Sequence, residues 1–200
     1  MMPDEEPNMD RQMPKRTLLK AISLTAAGIA LSRVPASAAP EPRVLVAYFS
    51  RTGNTRVIAN QIRRALSATL FEIKTATPYP EDYQTTVDQA AAETKAGYLP
   101  PLMQFVADIQ SYDTIFLGFP IWGMTAPPVI RSFLMAHDLA GKGLVPFVTH
   151  GGYGLGNGIS VVESHARKAN VRPGFSLEAD QEKRTLESVS AWLDTEPQTD

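Results

Sequence analysis

From Arg43 onward, short apolar runs alternate with stretches whose apolar residues recur at helical spacing. Residues 43–49 (RVLVAYF), 112–119 (YDTIFLGF) and 143–149 (GLVPFVT) are almost continuously hydrophobic, the pattern of strands covered on both faces. Residues 69–75 (TLFEIKT) alternate more and read as a strand near a sheet edge, and residues 171–177 (VRPGFSL) read as a weaker fifth strand. Val57, Ile58, Ile62 and Leu66 share one helical face, as do Val129, Ile130, Phe133 and Leu134 in a second helix. A third helix is expected over about residues 158–169. A last one carries Leu186, Val189 and Leu193 at core-facing spacing, with Asp180 or Glu182 near its start and Trp192 as a packing residue. Residues 78–102 hold a further helix between two proline-marked turns.

Strands that alternate with helices demand parallel neighbours and right-handed crossovers. Five such strands predict an α/β three-layer sandwich with a parallel sheet in the order 2-1-3-4-5 and helices on both faces. In such a sheet, ligands sit at the carboxyl ends of strands one and three, where the chain reverses its direction of travel across the sheet.

Composition narrows the chemistry. A formal net charge of -2 supplies no basic field for nucleic acid. The absence of cysteine excludes disulfides, thiolate catalysis and iron–sulfur clusters, so redox chemistry requires a bound cofactor. His137 and His165 have no second ligand at metal spacing, and no metal is expected. The chain also lacks the GxSxG motif of a hydrolase nucleophile.

The first residues read as a leader. MPKRTLLK precedes a stretch rich in Ala, Ser, Thr and Gly, then PASAAP, in which Ala36 and Ala38 form an A-x-A cleavage pattern. Residues 1–38 are therefore expected to be an export signal, and 39–200 the folded domain. Lys15 and Arg16 resemble the twin-arginine signal, with lysine for the first arginine, so that unfolded export stays open. The expected location is the periplasm. The apolar stretch is too short for a spanning helix of about 20 residues, so no stable membrane insertion is expected once the signal is removed, with an N-terminal anchor as the alternative.

The most specific letters follow the first strand. Ser50, Arg51, Thr52, Gly53, Asn54 and Thr55 (SRTGNT) place hydroxyls, a glycine and backbone N–H groups where a helix begins, a setting that suits an anion held by neutral donors. The alternative is an ordinary strand-to-helix turn. Neither GxxxxGK nor GxGxxG occurs in the chain, so a single phosphate monoester fits better than a triphosphate or a dinucleotide.

Ser50, Thr52, Gly53 and Thr55 match the pattern Ser/Thr, any, Thr, Gly, any, Thr, and here the sequence resembles the flavodoxin family. GFPIWGMTAPPVIRSFL after strand three and THGGYGLGN after strand four resemble that family's two flavin-flanking loops. The resemblance implies a flavodoxin-like fold, FMN as the cofactor, and chemistry carried by the flavin rather than by catalytic side chains. It places the phosphate on residues 50–55. The ring falls between Pro120, Ile121, Trp122 and Gly123 on one side and Thr149, Gly151, Gly152, Tyr153 and Gly154 on the other. Trp122 is suited to stacking on the ring and Tyr153 to covering its second face, the alternatives being a packed loop residue and a solvent-facing one. Tyr79 and Tyr83 read as packing residues, and His150 as a satisfied loop residue before a proton source. Glu81, Asp82 and Glu93 are the nearest carboxylates by sequence, and the loops themselves carry none.

Three functions remain open. The first is an electron carrier that serves a redox partner protein or a small acceptor such as a quinone. The second is an NAD(P)H- or quinone-linked FMN reductase. The third is a flavin-free binding module on the same fold.

Overall fold

The computed structural model describes residues 43–178 and 189–195. The expected signal at 1–38 lies outside the described residues, as do Leu186, Asp180 and Glu182. The elements are β1 (Val44–Tyr48), α1 (Asn54–Ala65), β2 (Thr69–Glu72), α2 (Tyr83–Ala96), β3 (Thr114–Pro120), α3 (Pro128–Ala136), β4 (Gly143–His150), α4 (Gly158–His165), β5 (Asn170–Val171) and β6 (Phe175–Glu178), with a short 3₁₀ turn at Ile109–Ser111 before β3. All pairings in the sheet are parallel and run β2-β1-β3-β4-β5, with β6 also on β4. This is the flavodoxin-like α/β order.

The near-continuous hydrophobicity of the central strands follows from their two covered faces. On one face Val46, Tyr48, Phe116, Val145 and Phe147 meet Ile58, Ala59 and Ile62 of α1, with Val189 and Leu193 of the helical turn at 189–193. On the other face Leu45, Ala47, Ile115, Leu117, Leu144 and Val148 meet Val129, Ile130, Phe133 and Leu134 of α3, with Val162 and Ala166 at α4. Successive residues alternate between the two cores, as the two-residue period of a strand requires. Trp192 stacks on Phe175 at 5.1 Å, a packing role.

The expected fifth strand is two pieces. Asn170–Val171 pairs with Gly143–Leu144, and Phe175–Glu178 pairs with Phe147–His150. The cause lies partly in β4. Leu144 O accepts from Arg172 N at 2.9 Å, so alternate residues of β4, including Pro146, turn their backbone groups toward this edge. Pro146 has no N–H to give there. Three further boundaries differ from expectation. The ladder of β2 ends at Glu72, and Thr75 forms an isolated antiparallel bridge with Leu102. The third helix stops at His165 instead of reaching 169. The first begins at Asn54, one residue ahead of the start expected at Thr55, capped by Gly53 in the left-handed region at φ 100°.

Among the described residues, no helix is long and apolar enough to cross a membrane, and no group of histidine and carboxylate side chains is placed to hold a metal.

Candidate functional site

A cavity of about 500 Å³ opens at the carboxyl ends of β1, β3 and β4. Its lining includes Ser50, Arg51, Thr52, Asn54 and Thr55 from the first loop, Pro120, Ile121, Trp122 and Gly123 from the second, and Thr149, His150 and Gly151 from the third. Segments far apart in sequence meet here because β1 lies beside β3 and β3 beside β4. Gly53, Gly152, Tyr153 and Gly154 lie outside the lining, and Tyr153 is 80% exposed.

The first loop is a set of donors with few internal claims on them. Gly53 N donates to Ser50 Oγ at 3.1 Å, which leaves the Ser50 proton available. The first helical bond runs from Val57 N to Gly53 O, so the N–H groups of Asn54, Thr55 and Arg56 precede the helical ladder and add to the positive end of α1. Thr52 is exposed, whereas Thr55 is buried and its Oγ1 lies 2.9 Å from Thr149 Oγ1. Arg51 lies over the Tyr83 ring at 5.7 Å. Arg56 is turned away and pairs with Glu72, which also holds Lys74. Burial works against the Glu72 charge, but hydrogen bonds from Arg56 and Lys74 outweigh it and hold the carboxylate below its ordinary pKa.

The second loop is a tight hairpin. Trp122 and Thr125 exchange backbone hydrogen bonds at 3.0 and 3.1 Å around Gly123 and Met124, whose φ values are 54° and 64°. Two positive φ values in succession give the turn the hand of a two-residue hairpin. Met124 is an unusual occupant of the left-handed region, and its carbonyl is held by Asn157 N at 2.9 Å. A side chain at Gly156 would meet that carbonyl at 2.0 Å, so glycine there lets the second and third loops touch. Trp122 packs edge-on against Phe49 at 5.2 Å and Tyr79 at 5.0 Å, which fixes its ring at the cavity wall. Tyr79 has the expected packing role. Burial, and then its hydrogen bond to Glu93, push its hydroxyl far above the ordinary range.

The fourth wall is α2, which the sequence reading left out of the site. Tyr83, Val87, Ala90, Ala91 and Thr94 fall at positions i, i+4, i+7, i+8 and i+11 of the helix, and all line the cavity, as does Lys95. Tyr83 is not a packing residue, being 70% exposed at this wall. The signal was present in those short side chains on one helical face, but the face could equally have packed on the sheet. His150 also lines the cavity, and its Nδ1 accepts from Gly152 N at 3.2 Å. Among the described residues no carboxylate lines the cavity, while Arg51 and Lys95 do. Asp82 instead caps α2 through Thr85, and Glu93 is engaged by Tyr79 and Gln89.

A family model described as flavodoxin matches residues 43–196. A solved, provisionally named flavoprotein from Bacteroides eggerthii DSM 20697 is 34% identical over 76% of this chain and 96% of its own, with a TM-score of 0.66. A second, from Bacteroides uniformis ATCC 8492, is 30% identical over 78% and 99%, with a TM-score of 0.69. The flavoprotein from Lactobacillus acidophilus NCFM, solved in complex with FMN, is similar in fold at 21% identity, covering 74% and 99%, with a TM-score of 0.63. The sequence has no detectable relative among curated proteins.

Proposed function

Because the chain belongs to the flavodoxin family, we propose that it binds FMN and works as a redox protein, passing electrons to a partner protein or to a small acceptor such as a quinone. One observation carries this reading: neutral donors gathered at the start of α1 open into a cavity with an aromatic wall and, among the described residues, no carboxylate lining. A phosphate dianion suits such donors, and a flat, largely apolar ring suits Trp122 and the loop backbones. The hydroxyls of Ser50, Thr52 and Thr55 and the N–H groups of residues 54–56 would hold the phosphate. Trp122, Gly123 and Gly151 would border the ring. The flavin, when bound, supplies the electron-accepting and electron-donating chemistry, while the chain binds it, orients it and limits its contact with water.

The lining favours a second reading, an NAD(P)H- or quinone-linked reductase. Acidic surroundings disfavour an anionic reduced flavin. Among the described residues the charged ones of the wall are Arg51 and Lys95, so the midpoint potential is expected to be less depressed than in an acid-lined carrier. Spectroelectrochemistry and direct oxidation of NADPH distinguish the two roles.

The test of binding is titration of the purified protein with FMN, followed by flavin fluorescence. Tight binding that weakens about 10-fold or more in Thr52→Val, the loss expected for a hydrogen bond to a charged group, supports the reading. Colourless protein that ignores added FMN refutes it and favours a flavin-free binding module. Export through residues 1–38 is a separate proposal that rests on the A-x-A pattern and the basic leader. A mature N-terminus at Ala39, found by mass spectrometry of a periplasmic fraction, would support it, and an intact leader on cytoplasmic protein would refute it.

A further inference from the structure

Resting on the FMN reading, we infer that Thr149 is a positioning residue that aims the Thr55 hydroxyl at the phosphate and so makes the site select the phosphorylated flavin over riboflavin. The two Oγ1 atoms lie 2.9 Å apart, joining residues 94 positions distant in sequence. Their residues are only 1% and 3% exposed. Strand alternation puts Thr149 on the same face of β4 as Val145 and Phe147, beneath α1. Its carbonyl accepts from Ile121 N at 2.8 Å, which pins the backbone.

A hydrogen bond between two hydroxyls uses one proton and leaves the other free to point elsewhere. If Thr55 donates to Thr149, lone pairs of Thr55 are left facing the start of α1, where an anion would repel them. If Thr149 donates to Thr55, the Thr55 proton is released toward that anion, and the chain from Thr149 through Thr55 to phosphate is polarised in one sense. A dianion beside the first turn of α1 selects the second arrangement. Riboflavin has no dianion and gains nothing from it. Thr149 therefore acts through Thr55, and its contribution depends on the ligand's charge.

The experiment measures dissociation constants of FMN and riboflavin, each by flavin fluorescence, on the full chain and its variants. Thr149→Val is expected to weaken FMN about 10-fold, the scale of a hydrogen bond to a charged group, and to weaken riboflavin, which lacks the dianion, by clearly less. Thr149→Ser, which keeps the hydroxyl, is expected to restore the preference. If Thr149→Val does not fold, Thr149→Ala removes the hydroxyl without added volume and carries the same comparison. Equal weakening of both ligands, or full FMN affinity without the hydroxyl, overturns the inference. Wild-type protein that binds neither ligand refutes the FMN reading itself, whereas wild-type protein that binds FMN with an unmoved preference in the variants refutes the relay alone.

Discussion

Replacing Gly118 by alanine tests the packing beneath the site. Gly118 lies on β3 opposite Phe147 of β4, and an added Cβ would stand 2.1 Å from Cζ and 2.2 Å from Cε2 of that ring. Ordinary carbon contacts need about 3.5–4.0 Å, so the ring must retreat by about 1.5 Å. It has nowhere to go, being fully buried against the residues of α1. Overpacking of this kind costs about 1–3 kcal/mol, and the relief of glycine's entropic cost in a strand returns only about 0.5–1 kcal/mol. A net loss of about 2 kcal/mol follows from the severity of the overlap. With a urea slope of about 1–3 kcal/mol/M, the unfolding midpoint should fall by about 1 M. Gly151→Ala is the control: its Cβ would meet nothing within 4 Å, so stability should change by less than about 0.5 kcal/mol. Phe147→Leu should relieve the strain, making the double variant more stable than the sum of the single effects predicts. An unchanged midpoint in Gly118→Ala, or strict additivity with Phe147→Leu, refutes the reasoning.

His137 is buried, its Nδ1 is 2.8 Å from Phe133 O, and its Nε2 accepts from Val106 N at 3.0 Å, so the ring is neutral in the folded chain. Burial lowers its pKa from the ordinary 6.5, with the Phe133 carbonyl opposing. Its contribution to stability is complete above about pH 6.5 and is lost as pH falls toward the lower folded value, because the unfolded chain takes the proton first. His137→Leu should remove this dependence in thermal melts across pH and cost about 1–3 kcal/mol at neutral pH, since Val106 N loses its acceptor. Trp122→Ala should weaken FMN binding about 3- to 10-fold in the fluorescence titration through loss of an aromatic wall. Because Phe49 and Tyr79 lose their partner, a lower melting temperature should accompany it.

Much of the architecture is a local property of the sequence. Apolar runs covered on two faces, helical faces such as Val129, Ile130, Phe133 and Leu134, and the SRTGNT turn each depend on neighbours a few residues away. Their order along the chain implies the parallel sheet and the end of it that bears the site, since crossovers between parallel strands have one favoured hand. The tertiary structure decided what depends on register and on which surface a helix covers. It turned the missing N–H of Pro146 toward the fifth-strand position and split that strand. It also brought α2 to the cavity with Tyr83 and Lys95, left Tyr153 in solvent, and closed Thr55 onto Thr149. Spacing along a chain fixes which side chains share a face, but only the assembled sheet fixes which distant atom each of them meets.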